Sequence, residues 1–86
     1  MQTRDFSLAI IGAGNMGEAL LGGILRAGIT APEQVIVSDV SLERRDKICR
    51  QFCIRSAEDN AQAARQAQVI LLAVKPQNLA AAAVEL

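Results

Sequence analysis

The chain has 86 residues, and nine Lys plus Arg balance nine Asp plus Glu. That length holds one small domain and not two, and the zero net charge removes the electrostatic argument for a nucleic-acid or acidic-membrane partner. An apolar fraction of 51% beside 21% charged residues describes a globular chain rather than a disordered one. No apolar run approaches the roughly 20 residues that span a bilayer, and the apolar part of the opening MQTRDFSLAII is too short for an export signal. There is no His, which excludes a histidine base and any histidine-ligated metal within these residues. Cys49 and Cys53 are the only cysteines. They can form one disulfide or stay reduced as small hydrophobes, and a lone pair is poor zinc evidence because closed sites take four ligands. Reduced thiols fit a cytoplasmic protein, and no metal is expected.

Short β-branched runs alternate with longer helix-like runs, the order that builds a parallel sheet with helical crossovers. The first strand is read over Ser7–Ile11, without polar alternation, as suits a strand covered on both faces. A helix follows the glycine-rich segment to about Ala27, with Met16, Leu20, Gly23, Ile24 and Ala27 on one side and Gly28 as its stop. Pro32 falls in the next connection, and a second strand covers Gln34–Ser38. A second helix starts near Leu42 with Ser41 as N-cap, its apolar side made by Leu42, Ile48, Cys49 and Phe52. Cys53-Ile54-Arg55 reads as a short third strand, and Ser56 as the cap of a third helix with Asp59 in its first turn. Ala57, Ala61, Ala64 and Ala67 have helical spacing, and Gln68–Val74 is the fourth strand. Lys75-Pro76 then opens another helix that meets no following strand. The expected architecture is a partial doubly wound parallel-sheet α/β domain of Rossmann-like type, with strand order 3-2-1-4 and ligand at the carboxyl ends. Residues 1–86 read as part of an N-terminal dinucleotide-binding domain.

Gly12, Gly14 and Gly17 form G-x-G-x-x-G between an apolar strand and an apolar helix. Alone the pattern is weak, but the flanking elements give it a mechanism. The first glycine makes the tight turn, the second admits the pyrophosphate to the backbone, and the third lets helix and sheet pack closely. The helix start then offers its N–H groups to the phosphates. Ala13, Asn15 and Met16 fill the variable positions. Asn15 suits a cap or phosphate contact, and Met16 a contact with the sheet or a ring. Asp39 lies 22 residues beyond Gly17 at the end of the second strand, where a carboxylate can accept from the adenosine ribose diol. That acid disfavours a 2′-phosphate, whereas Arg44 and Arg45, either of which can turn inward, and the hydroxyls of Ser38 and Ser41 favour one. NAD and NADP both remain open. Lys75 is a weaker candidate acid than the Val74–Pro76 backbone is a nicotinamide wall, and no catalytic residue is assigned.

Ile11-Gly12-Ala13-Gly14-Asn15-Met16-Gly17-Glu18-Ala19-Leu20, Val37-Ser38-Asp39, Asp59-Asn60 and Ala73-Val74-Lys75-Pro76-Gln77 together resemble, in order, the landmarks of the pyrroline-5-carboxylate reductase family. The resemblance covers nearly the whole chain. It implies hydride transfer from NADPH or NADH to the ring C=N carbon of 1-pyrroline-5-carboxylate, giving L-proline. It places Gly12–Met16 around the pyrophosphate, Ser38 and Asp39 around the adenosine ribose, Asn60 on the cofactor side of the cleft, and Ala73, Val74, Lys75 and Pro76 near the nicotinamide. It also implies a helical substrate and dimerisation domain beyond these 86 residues, through which the parent forms a homo-oligomer. A non-catalytic nucleotide-binding regulatory module and a hydroxyacid dehydrogenase fragment are the competing readings.

Overall fold

A computed structural model describes residues 7–73. Four parallel strands, β1 (Leu8–Ile11), β2 (Val35–Ser38), β3 (Arg55–Ser56) and β4 (Val69–Leu72), lie in the order β3-β2-β1-β4. The expected order is therefore met. Leu8 pairs with Val35 on one side and Val69 on the other, and Ile11 with Ser38 and Leu72. All four residues of β1 and of β2 are buried, which explains why neither strand alternates in polarity.

Helices α1 (Asn15–Arg26), α2 (Leu42–Phe52) and α3 (Asn60–Arg65) join the strands. Leu8 and Ile10 of β1 and Val35 and Val37 of β2 pack with Leu21 of α1 and Ile48 of α2. Their neighbours Ala9, Ile11 and Ile36 pack on the opposite face with Ala63 of α3. The sheet is thus covered from both sides, α1 and α2 on one face and α3 on the other.

Local chemistry ends the elements. Gly28, at φ +71°, closes α1 by donating to the Leu25 carbonyl at 3.1 Å, while Ile29 N–H donates to Ile24 at 3.2 Å, a Schellman arrangement. Ser41 caps α2, its Oγ accepting from Arg44 N–H at 3.3 Å. The connection before β2 contains a 3-10 turn over Pro32–Gln34, which takes Gln34 out of the strand.

Five expectations are corrected. The third strand is Arg55–Ser56, not Cys53–Arg55, because α2 runs on to Phe52 and ends with Cys53 in the left-handed region at φ 59°. Ser56 is paired with Val37 in the sheet, so it does not cap α3. Asp59 does, its Oδ1 accepting from Gln62 N–H at 2.7 Å. The buried residues of α1 are Gly17, Leu21 and Gly22, with Ile24 and Leu25 packed against the core. Met16 and Leu20 are 57% and 41% exposed, because close contact at Gly17 sets the rotation of the helix. Leu42 is also exposed, at the start of α2 beyond the end of the sheet, and Ala57 is buried ahead of α3 rather than within it. Val74, Lys75, Pro76 and the helix expected after them lie outside the described residues.

Candidate functional site at the carboxyl edge of the sheet

The chain leaves β1 through Gly12, whose φ of +112° is strained for any side-chain-bearing residue. Gly12 N–H donates to the Ser38 carbonyl at 2.8 Å, so the bend is tied to the end of β2. Gly14 is the N-cap of α1 and offers no side-chain cap. The first-turn amides, which have no partners inside a helix, therefore point out of the carboxyl edge with the positive end of the helix dipole.

The three glycines are needed for different reasons. A Cβ at Gly17 would sit 2.1 Å from the Gly12 carbonyl oxygen, so only glycine lets α1 approach the bend. Gly14 has an ordinary φ of −80°, and a Cβ there would meet only Arg44 Nη1, at 3.5 Å. Neither strain nor internal packing demands glycine at that position. The helix start is uncapped, with open space over the backbone at Gly14.

β2 supplies the adjoining wall. Ser38 is buried, and its Oγ donates to Asn60 Oδ1 at 2.6 Å, which draws the start of α3 against the end of β2. The Asp39 carboxylate accepts from Ala13 N–H through Oδ2 at 2.6 Å and from Ser41 N–H through Oδ1 at 2.7 Å. Arg44 Nη2 stands 3.7 Å from Oδ1; the Arg44 side chain is 54% exposed and that of Asp39 only 6%. Arg45 is engaged elsewhere, donating through Nη1 to the Ala57 carbonyl at 2.8 Å. Of the two arginines, Arg44 is the one facing the glycine loop. On the other flank, Ala73 N–H donates to the Ile11 carbonyl at 2.8 Å. Since α1 leaves β1 over one face and α3 feeds β4 over the other, the β1/β4 boundary is a topological switch point, where open α/β sheets bind ligands.

The structure thus gathers Gly12, Ala13, Gly14, Asn15, Gly17, Ser38, Asp39, Asn60 and Ala73 along one edge. Met16 is exposed in the first turn and does not pack on the sheet. Sequence reasoning missed a groove between α1 and α2, lined by Gly14, Asn15, Glu18, Arg44, Lys47 and Ile48. Its signal was available: Arg44 lies four residues before core Ile48, so the two share a helix side. Among the described residues no cluster suits a metal ion, and no helix is long and apolar enough to cross a membrane. Cys49 and Cys53 are both free. Burial pushes the Cys49 thiol up from its ordinary pKa, opposed by a hydrogen bond with Ser56.

Parallel topology, two-sided cover and a glycine bend at the switch point define a Rossmann-like domain. The chain belongs to the family described as NADP oxidoreductase, coenzyme F420-dependent, whose pattern matches residues 7–86. It is 45% identical over 74 residues, or 86% of its length, to pyrroline-5-carboxylate reductase of Pseudomonas aeruginosa, and 43% identical over 75 residues, or 87%, to that of Synechocystis. The chain spans 27% and 28% of those relatives. In three dimensions it matches pyrroline-5-carboxylate reductase of Coxiella burnetii with a TM-score of 0.81 at 30% identity, over 90% of this chain and 28% of that one. The Plasmodium falciparum pyrroline carboxylate reductase with NADP bound gives a TM-score of 0.81 at 25% identity, over 96% of this chain and 29% of that one. The resemblance drawn from the glycine motif and the later landmarks is borne out.

Proposed function

We propose that this chain is the N-terminal nucleotide-binding region of an NAD(P)H-dependent pyrroline-5-carboxylate reductase, the enzyme that reduces 1-pyrroline-5-carboxylate to L-proline. The observation that carries the reading is Gly14: it starts an uncapped helix at the switch point, where no packing among the described residues requires glycine. Likeness to the reductases over more than four-fifths of the chain supports the substrate. When bound, the reduced nicotinamide supplies hydride to the ring C=N carbon, and the ring nitrogen finishes protonated.

This chain's residues bind and orient. Gly12, Ala13, Gly14, Asn15, Met16 and Gly17 hold the diphosphate through backbone amides and the α1 dipole. Ser38 and Asn60 form the adenosine edge, and Asp39 braces the glycine loop beside it through Ala13 N–H. Ala73, Val74, Lys75 and Pro76 form the nicotinamide wall. Holding the dinucleotide rigidly is this region's contribution to the rate. The substrate pocket and the homo-oligomer contact belong to a further domain of the intact protein, and the free thiols fit a cytoplasmic setting.

The test is hydride transfer by the intact protein, read as loss of reduced-nicotinamide absorbance with pyrroline carboxylate and with hydroxyacids in parallel. Turnover of the cyclic imine alone is expected. Turnover of a hydroxyacid alone, or binding of nucleotide with no turnover of either, refutes the assignment.

A further inference from the structure

We propose that Asp39 is a positioning residue that holds the diphosphate cradle in shape, and that it does not discriminate between cofactors by binding the ribose diol. The inference deepens the nucleotide-binding reading and rests on it. An acid at the end of a second strand is expected to face the ribose with its oxygens open. Here each oxygen already accepts one backbone bond: Oδ2 from Ala13 N–H at 2.6 Å and Oδ1 from Ser41 N–H at 2.7 Å. The carboxylate is nearly inaccessible, with 6% of its side-chain surface exposed, and Arg44 stands over Oδ1.

The bond to Ala13 falls between the two glycines whose geometry matters most. Gly12 is held at a left-handed φ by its own bond to the Ser38 carbonyl, and Gly14 begins the helix. Without the carboxylate, Ala13 N–H loses its partner and the loop is held at the β2 end by the Gly12–Ser38 bond alone among the described residues, which loosens the first amides of α1. Arg44 balances the charge of Asp39 and lies against Gly14. The acid's charge is thus partly offset by Arg44, which weakens the repulsion a 2′-phosphate would meet. Asp39 accordingly supports NADH and NADPH alike.

The experiment is a ligand-by-variant cycle on the intact protein. Calorimetric affinities of ADP, 2′-deoxy-ADP, NADH and NADPH are measured for wild type, Asp39→Asn and Asp39→Ala, with unfolding midpoints alongside. Adenosine, which lacks phosphates, serves as the control and is followed by NMR shifts. Loss of a charge-assisted hydrogen bond predicts about tenfold weaker ADP, NADH and NADPH binding in Asp39→Ala. Asn, with one acceptor for two amides, falls between Ala and Asp. The NADPH to NADH ratio, the adenosine affinity and the effect of deleting the 2′-hydroxyl stay within about twofold of wild type. Three results overturn the proposal while leaving nucleotide binding intact: a tenfold rise in the NADPH to NADH ratio, a 2′-hydroxyl effect present in wild type and lost in the variants, or an adenosine loss equal to that of ADP. Absence of ADP binding to folded wild-type protein overturns both this proposal and the reading beneath it.

Discussion

Replacing Gly17 with Ala tests whether close approach of α1 to the loop is a structural necessity. The new Cβ would stand 2.1 Å from the Gly12 carbonyl oxygen and 3.1 Å from its carbon. A carbon–oxygen contact relaxes near 3.3 Å, so a gap of about 1.2 Å must be opened. Either α1 retreats along β1, or the loop gives up its bonds to Ser38 and Asp39, at 2.8 and 2.6 Å. Overpacking costs about 1–3 kcal/mol. One neutral and one charge-assisted bond add about 2–4 kcal/mol if both are lost, against about 1 kcal/mol gained from alanine's helix propensity. With both bonds lost the expected net loss is about 2–6 kcal/mol, a large share of the ~5–15 kcal/mol available to a domain. Urea unfolding at constant slope measures it. Gly23→Ala is the matched control: the substitution and the helix are the same, but a Cβ there meets nothing within 4 Å. That variant should gain about 0.5–1 kcal/mol. Equal midpoints for the two variants would refute the steric argument.

Three further outcomes are expected. Gly14→Ala should unfold within about 1 kcal/mol of wild type, yet bind dinucleotide more than tenfold more weakly by calorimetry, because its Cβ enters space that packing leaves open. Asp59→Ala should cost about 1 kcal/mol through loss of the α3 cap, seen as a lower unfolding midpoint with unchanged slope. Iodoacetamide should label exposed Cys53 ahead of half-buried Cys49, whose thiol burial holds above its ordinary pKa. The folded state then favours the protonated Cys49 thiol. The associated stability is fully present below the ordinary thiol pKa and is lost as pH rises through the elevated one. Cys49→Ala should show a shallower alkaline decline in pH-dependent unfolding.

The strands and their order were readable because β1, β2 and β4 are apolar runs separated by longer segments with helical patterning. The α2 cap was readable because Ser41 stands before a helical pattern. Where reading failed, tertiary contact had decided. Met16 and Leu20 match an apolar helix side as well as Leu21 does, and only the meeting of Gly17 with Gly12 sets which side turns inward. The third strand was displaced because Cys53, a residue with no marked preference for positive φ, takes the helix-ending role usually given to glycine. In the site, glycine spacing located the bend and acid spacing located Asp39. What the Asp39 carboxylate holds depends on the loop across the sheet, 26 positions earlier in sequence, and no local pattern encodes that.

Of the described strands, β1 comes earliest in the chain and is the last to gain both neighbours. It is flanked by β2 and β4, and its pairing of Leu8 with Val69 waits for a segment 61 residues downstream. A nascent chain that has not yet released that segment therefore presents a bare ladder along β1, all four of whose residues are buried in the finished sheet. Until that segment arrives, the open edge of β1 is a template for pairing with another chain.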